Sequence, residues 1–296
     1  MEPIEEKETT AVPAKKIRKH PVLGKPILGA ILLTIHGFCF YQIFGIFGKS
    51  DIAVSLLSVV SAVLLLLIHK FWFRPEFKGC ISFDFLRDHQ FLRAAGLFLV
   101  VDLIMAVISY IDHGIAAPTL LGVCLALGAG TVEEAIFRVL PVSVMMRTYK
   151  DKGSYLPALI LTPIIFGAIH MVNVLAGQAV GFTIIQAVSA AAIGVFFGAL
   201  YIRTGSIVPS MVLHVLHDFL GSLQANQTTG VASGPVTTLD IITIILIIIA
   251  AIAIAVMVLK GRGEEIREVW KKVWSAEKSE ELAVRSEELD ASIHNS

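Results

Sequence analysis

Residues 241–259 contain no charged side chain, and residues 54–68 repeat the pattern. Apolar blocks of this length constrain the fold more than any other feature of the chain. A helix rises about 1.5 Å per residue, so about 20 apolar residues cross a hydrocarbon core about 30 Å thick. Inside that core each backbone N–H and C=O must find its partner within the segment or around a closed barrel. Blocks that are apolar throughout, without period-two alternation, therefore predict helices. Eight such spans can be read, at 27–47, 52–73, 91–111, 118–146, 155–172, 178–202, 206–224 and 236–259. The expected fold class is all-α, a polytopic bundle of eight membrane helices around a polar cavity. The fourth span is longer than a crossing needs, so it should tilt or protrude.

Charge in the loops sets the expected topology. Basic residues resist translocation, so Lys- and Arg-rich loops stay cytoplasmic. The amino-terminal segment carries Lys15, Lys16, Arg18, Lys19 and Lys25, and the second loop carries Lys70, Arg74, Lys78, Arg87 and Arg93. Arg147, Lys150 and Lys152 follow in the fourth loop, Arg203 in the sixth, and Lys260 and Arg262 after the last span. The first loop has only Lys49, and the third, fifth and seventh have no Lys or Arg. This alternation predicts an integral, multi-pass protein of the plasma (inner) membrane with both termini cytoplasmic. The Asn226-Gln227-Thr228 sequon would lie outside. The expected organisation is a basic N-terminal segment at 1–26, two helices and a basic loop at 27–90, and a core at 91–225. An outer loop with the last helix follows at 226–260, then a cytoplasmic tail at 261–296. In that tail Ile266, Val269, Trp270, Val273 and Trp274 share a helical face, which predicts an amphipathic helix on the inner leaflet with tryptophans at headgroup depth. The polar ends, 1–24 and 276–296, are expected to be mobile.

Several classes of function fall away. Lys plus Arg and Asp plus Glu balance at 24 each, and there is neither an aromatic-basic stripe nor a Gly-rich phosphate loop, so no nucleic-acid partner is expected. Cys39, Cys80 and Cys124 are far apart and odd in number, which argues against a disulfide framework or cysteine-ligated zinc and leaves them as small apolar residues. The first 25 residues are polar and basic, so no cleavable signal peptide is expected. Neither an HExxH helix nor a GxSxG turn is present.

What remains is charge where charge is expensive. Ionisable residues inside a membrane span cost several kcal/mol and usually face an interior cavity. The fourth span holds Glu133, Glu134 and Arg138, the fifth His170, and the seventh His214, His217 and Asp218; Asp102 lies in the third and His36 in the first. Glu134 and Arg138, four apart, share a helix face and can pair. Glu133 is turned about 100° away. One carboxylate is thus held by arginine and the other left for chemistry. Two adjacent carboxylates in low dielectric titrate apart, as a general base requires. A structural ion-pair cluster would use the same residues. Gly167 and Ala168 before His170 allow a close helix approach, and Pro163 can free a carbonyl. His214 and Asp218, also four apart, suit joint hydrogen bonding or metal ligation, with His217 a substitute for His214. Asp102 and Gln186 are secondary candidates.

These motifs, in this order, resemble the CPBP family of intramembrane proteases, the group that contains the type II CAAX prenyl endopeptidase (Rce1-like) and bacterial Abi proteins. The family pattern EExxxR, FxxxH, HxxxN/D reads here as Glu133, Glu134 and Arg138, then Phe166 and His170, then His214 and Asp218. Gly194, Gly198, Tyr201 and Thr204-Gly205-Ser206 also look familial. The resemblance covers about 90–225, and Asp218 stands where the prenyl-protein endopeptidases have Asn. It implies a CAAX-protease-like intramembrane endopeptidase acting on membrane-anchored or lipidated peptides, with membrane lipid as its surroundings. Glu133 would be the general base assisted by His170, Glu134 would be locked by Arg138, and His214 with Asp218 would stabilise the oxyanion. Glu133, His170 and His214 could also supply the three protein ligands of a catalytic zinc, although a metal-free, glutamate-activated water accounts for the same residues. The alternatives are a non-catalytic membrane scaffold or bacteriocin self-immunity protein and, with less in its favour, a proton-coupled transporter. No inverted repeat supports transport.

Overall fold

The computed structural model describes residues 24–74, 76–151, 153–226 and 235–275. Their regular structure is helical: α1 Pro26–Phe47, α2 Asp51–Trp72, α3 His89–His113, α4 Leu120–Glu134, α5 Leu140–Tyr149, α6 Leu156–Ile169, α7 Val180–Thr204, α8 Val208–Ser222, α9 Thr238–Leu259 and α10 Gly263–Val273. A π-helical turn, Ala135–Val139, joins α4 to α5, and a 3-10 turn, His170–Val174, extends α6. The chain is an integral membrane protein of all-α architecture.

Local chemistry fixes where the helices begin. Ser50, Asp88 and Thr119 cap α2, α3 and α4 by accepting from Ala53 N, Phe91 N and Gly122 N. Thr237 and Asp240 form a reciprocal capping box on α9. Proline occupies the first turn of α1, α6 and α8, where its missing N–H is no loss; Pro141 instead lies inside the continuous run of α4 and α5, just after the π-turn. Gly205 ends α7 in the left-handed region at φ +64°.

Helices occupy all eight expected positions, but among the described residues seven, not eight, are long and apolar enough to cross a membrane: α1, α2, α3, α4 through α5, α6 with its 3-10 turn, α7 and α9. The exception, α8, has 15 residues and spans only about 22 Å at the usual helical rise. Protein contacts replace the missing turns. Ile207 N donates to Cys80 O at one end, and at the other Ala116 N donates to Leu223 O beside a bridge between Ile115 and Gln224. α8 thus still runs from one face of the bundle to the other.

The loops sort onto two faces. On one, Arg203 pairs with Asp88 and Glu265 at 2.7 Å each, and Lys78 N donates to Val273 O. On the other, His113 bonds Asp240 at 2.7 Å and Ala225 N donates to Gly114 O. The basic second and sixth loops and α10 therefore share a face, opposite the third loop and residues Ala225 and Asp240 that flank the seventh. Large apolar side chains such as Val100, Leu103, Ile249 and Ile252 are exposed on the bundle exterior, as lipid contact requires.

Helices approach closely where the sequence offers glycine. A Cβ on Gly130 of α4 would lie 2.8 Å from Val215 N of α8, and one on Gly167 of α6 would lie 2.4 Å from Ala187 O of α7. The first contact brings the charged segments of α4 and α8 together, and the second seats α6, which leads into His170, closely on α7. Cys39, Cys80 and Cys124 are all free.

The tail helix departs from expectation. α10 forms, but its tryptophans face protein, not lipid. Trp270 is 0% exposed and donates to Ile202 O at 2.8 Å, and Trp274 donates to Ser143 O at 2.9 Å among Phe73 and Phe77. Each indole N–H finds a carbonyl inside the bundle, so the apolar face is covered by protein. The sequon residues 227 and 228 and the polar ends 1–23 and 276–296 lie outside the described residues.

Candidate active site

The π-turn begins one residue after Glu134. Such turns insert a residue into a helix and recur at functional sites. Here it carries Arg138 back onto Glu134, with Nε 3.4 Å from Oε1 and both side chains at most 1% exposed. The guanidinium lies 4.2 Å over the ring of Phe166 and 5.9 Å from that of Phe197. Gly194 makes room for it, since a Cβ there would stand 3.1 Å from Arg138 Nη2.

Glu134 has a second partner, His214 Nδ1, at 3.0 Å. With the carboxylate accepting, Nδ1 carries the proton and the tautomer is fixed. His214 Nε2 then faces Glu133 Oε2 at 3.6 Å and Asp218 Oδ2 at 3.8 Å. Phe166 and Phe197 pack on the imidazole, with centroids 5.8 and 4.9 Å away. The two adjacent glutamates therefore have different surroundings. Glu134 is sealed between Arg138 and His214, whereas Glu133 is 27% exposed and lines a cavity of about 690 Å³.

His170, His214 and Asp218 line the same cavity. His170 Nδ1 donates to Phe166 O at 2.8 Å, leaving Nε2 as its second nitrogen. Glu133 interacts electrostatically with His170, His214, Asp218 and Arg138. Of the residues singled out in the sequence, the structure gathers Glu133, Glu134, Arg138, His170, His214 and Asp218. It leaves out His36, which is exposed on α1 against the edge of Trp72.

Zinc ligation demands donor atoms about 2.0–2.2 Å from one point. Glu133 and His214 could share such a point, but His170 does not close on them. Among the described residues, the group whose three donor atoms fall within 4.8 Å of one another is Asp112, His113 and Asp240, at the far end of α3. The Glu133, His170, His214 set does not fit a three-ligand metal centre in this arrangement.

Two polar groupings were not legible beforehand. His217 does not stand in for His214; its Nδ1 bonds Asp102 Oδ1 of α3 at 2.8 Å. Gln186 Oε1 accepts from both Asn173 and Gln178 at 2.8 Å, and all three line the cavity. In the sequence Asp102 and Gln186 are only polar residues in apolar spans, and no spacing rule links either to its partner.

Fold and site together define a membrane protein with a carboxylate–histidine centre enclosed by its own helices. Residues 115–220 match the family described as Rce1-like, type II CAAX prenyl endopeptidase. The match is narrower than the resemblance read from the motifs. It contains Glu133, Glu134, Arg138, His170, His214 and Asp218, and it excludes Asp102 with the rest of α3. No curated protein and no solved structure matches the chain.

Proposed function

We propose that this protein is an intramembrane endopeptidase that hydrolyses peptide bonds of membrane-associated substrates, with Glu133 as general base. The observation that carries this reading is the unequal fate of two adjacent glutamates: Glu134 is buried and doubly bound, while Glu133 is open to the cavity 3.6 Å from His214 Nε2. Glu133 removes a proton from water, assisted by His170, and the hydroxyl adds to the scissile carbonyl. His214, oriented through Nδ1 by Glu134, acts as the imidazolium, donating its Nε2–H to the developing oxyanion, and Asp218 beside it offsets that charge. No step is assigned to a metal. A cavity of about 690 Å³ lies within the usual range for small-ligand sites and suits a short peptide segment. A membrane-anchored or lipidated peptide is the substrate class in keeping with the family match, and the basic face suits the cytoplasmic side of the inner membrane.

The test is Glu133→Gln, which keeps size and polarity and removes the proton acceptor. Cleavage of a membrane-anchored peptide should fall by about two to four orders of magnitude, with thermal stability in detergent little changed. A scaffold or immunity protein would keep its partner binding and phenotype in the same variant. Wild-type cleavage by Glu133→Gln would refute the mechanism.

A further inference from the structure

The cavity holds a second histidine–carboxylate pair that the mechanism above does not use. His217 of α8 is 30% exposed and lines the cavity, whereas Asp102 of α3 is 5% exposed. Asp102 Oδ1 accepts from His217 Nδ1 at 2.8 Å, and its Oδ2 is buried without a hydrogen-bond partner. A carboxylate in a membrane helix with one oxygen unmatched is costly, and a neutral pair would tether α3 to α8 more cheaply. Tyr110 of α3 already ties the same helices by donating to Leu220 O at 2.7 Å. What a carboxylate adds over a neutral acceptor is the ability to hold a cation. Bonded through Nδ1, His217 has Nε2 left as its second nitrogen, and an imidazolium would carry a proton there. The other titratable groups lining the cavity are Tyr41 on α1, Glu133 on α4, His170 after α6, His214 and Asp218 on α8, and Asp240 on α9.

Peptide hydrolysis needs such a proton. An amide nitrogen leaves poorly as an anion, so collapse of the tetrahedral adduct requires a donor at nitrogen. We infer that His217 is the general acid that protonates the leaving amine, with Asp102 as the positioning residue that holds its imidazolium. The inference rests on the endopeptidase reading. Water loses a proton to Glu133 and its oxygen bonds to the carbonyl carbon. The C–N bond then breaks with its electron pair going to nitrogen, which takes the proton from His217 Nε2. His217 recovers a proton from Glu133 through water, and the balance is peptide plus water to acid plus amine.

The experiment compares a membrane-anchored peptide with its depsipeptide analogue, in which an ester replaces the scissile amide and the alkoxide leaves without prior protonation. Wild type, His217→Gln, Asp102→Asn and Glu133→Gln are assayed on both in detergent. His217→Gln keeps a donor to Asp102, and Asp102→Asn keeps an acceptor for His217, so each preserves the tether. His217→Gln should lose about 10²-fold or more in kcat on the amide and less than about fivefold on the ester, with KM unchanged on both. Asp102→Asn should lose about tenfold in kcat on the amide alone. Glu133→Gln should lose both activities, because both need activated water. Equal losses on amide and ester in His217→Gln, or full amide activity in it, would overturn the inference while leaving Glu133 as base. If His217→Gln does not fold, the amide-to-ester ratio of Asp102→Asn decides, and an unchanged ratio overturns it. A wild-type protein that cleaves neither substrate overturns the endopeptidase reading and this inference with it; a Glu133→Gln protein that cleaves both normally overturns Glu133 as the base, and with it the proton return from Glu133 to His217 on which this inference depends.

Discussion

Arg138→Ala should be among the most damaging single changes in the bundle. The Arg138 and Glu134 side chains are 1% and 0% exposed, with Nε 3.4 Å from Oε1. Coulomb's law at an effective dielectric of about 20 gives roughly 5 kcal/mol for unit charges at that separation. Stacking of the guanidinium on Phe166 at 4.2 Å adds about 1 kcal/mol. The net cost is smaller than the sum, because removing Arg138 also removes its own desolvation penalty. Breaking one side of a buried pair typically costs about 3–5 kcal/mol, since the partner is left charged and buried. Here Glu134 would keep its bond to His214 but lose its arginine counter-charge, and a melting point in detergent should fall by on the order of 10 °C. Glu134→Gln combined with Arg138→Met removes both charges at similar volume, so it should recover most of that loss while abolishing activity through a mispositioned His214. Thermal melts of the single and double variants in one detergent decide the matter. An Arg138→Ala protein within about 1 kcal/mol of wild type, or a double variant no more stable than Arg138→Ala, would refute the reasoning that the pair is held by mutual neutralisation.

Three further outcomes follow from other parts of the molecule. Trp270→Ala removes a fully buried indole and its bond to Ile202 O, so it should cost about 3–5 kcal/mol in a detergent melt; a headgroup anchor would lose almost nothing there. The Arg262 hydrogen bond, with Arg203 beside it, holds the Glu265 carboxyl below the usual carboxylate range. A depressed carboxylate stabilises above its unfolded value and loses that contribution as pH falls through the folded one. Acidification should therefore loosen α10 in wild type but not in Glu265→Gln, by under about 1 kcal/mol because the pair is half exposed, and limited proteolysis of the tail from pH 6 to pH 3 (about one unit per step) measures it. A topology reporter fused at Ala117 should read the outer side, and a cytoplasmic signal would overturn the orientation drawn from the basic loops.

Much of this was legible in one dimension. Long apolar blocks leave helices as the structure that satisfies its own backbone in lipid, so every expected span contains a helix. Rarity of charge in those blocks singled out Glu133, Glu134, Arg138, His170, His214 and Asp218, and i, i+4 spacing paired Glu134 with Arg138 without reference to any other helix. The length of α8 was less legible, because apolar residues 206–224 continue into a loop whose polar groups are met by Cys80, Ser82 and Ala116. Periodicity in α10 gave the correct apolar face but not what covers it, since lipid and protein ask for the same side chains.

By itself, then, the sequence determined a helical membrane bundle and the inventory of costly polar residues, because backbone satisfaction and helical phase are local. The tertiary structure alone decided which residue meets which. It bonded His214 to Glu134, 80 positions away, and His217 to Asp102, 115 away. It opened Glu133 to the cavity while sealing its neighbour, and it drew α10 into the bundle. Those outcomes depend on how closely α3, α4 and α8 approach and on the π-turn that rephases Arg138, and no spacing within a single helix encodes the rotation of one helix against another.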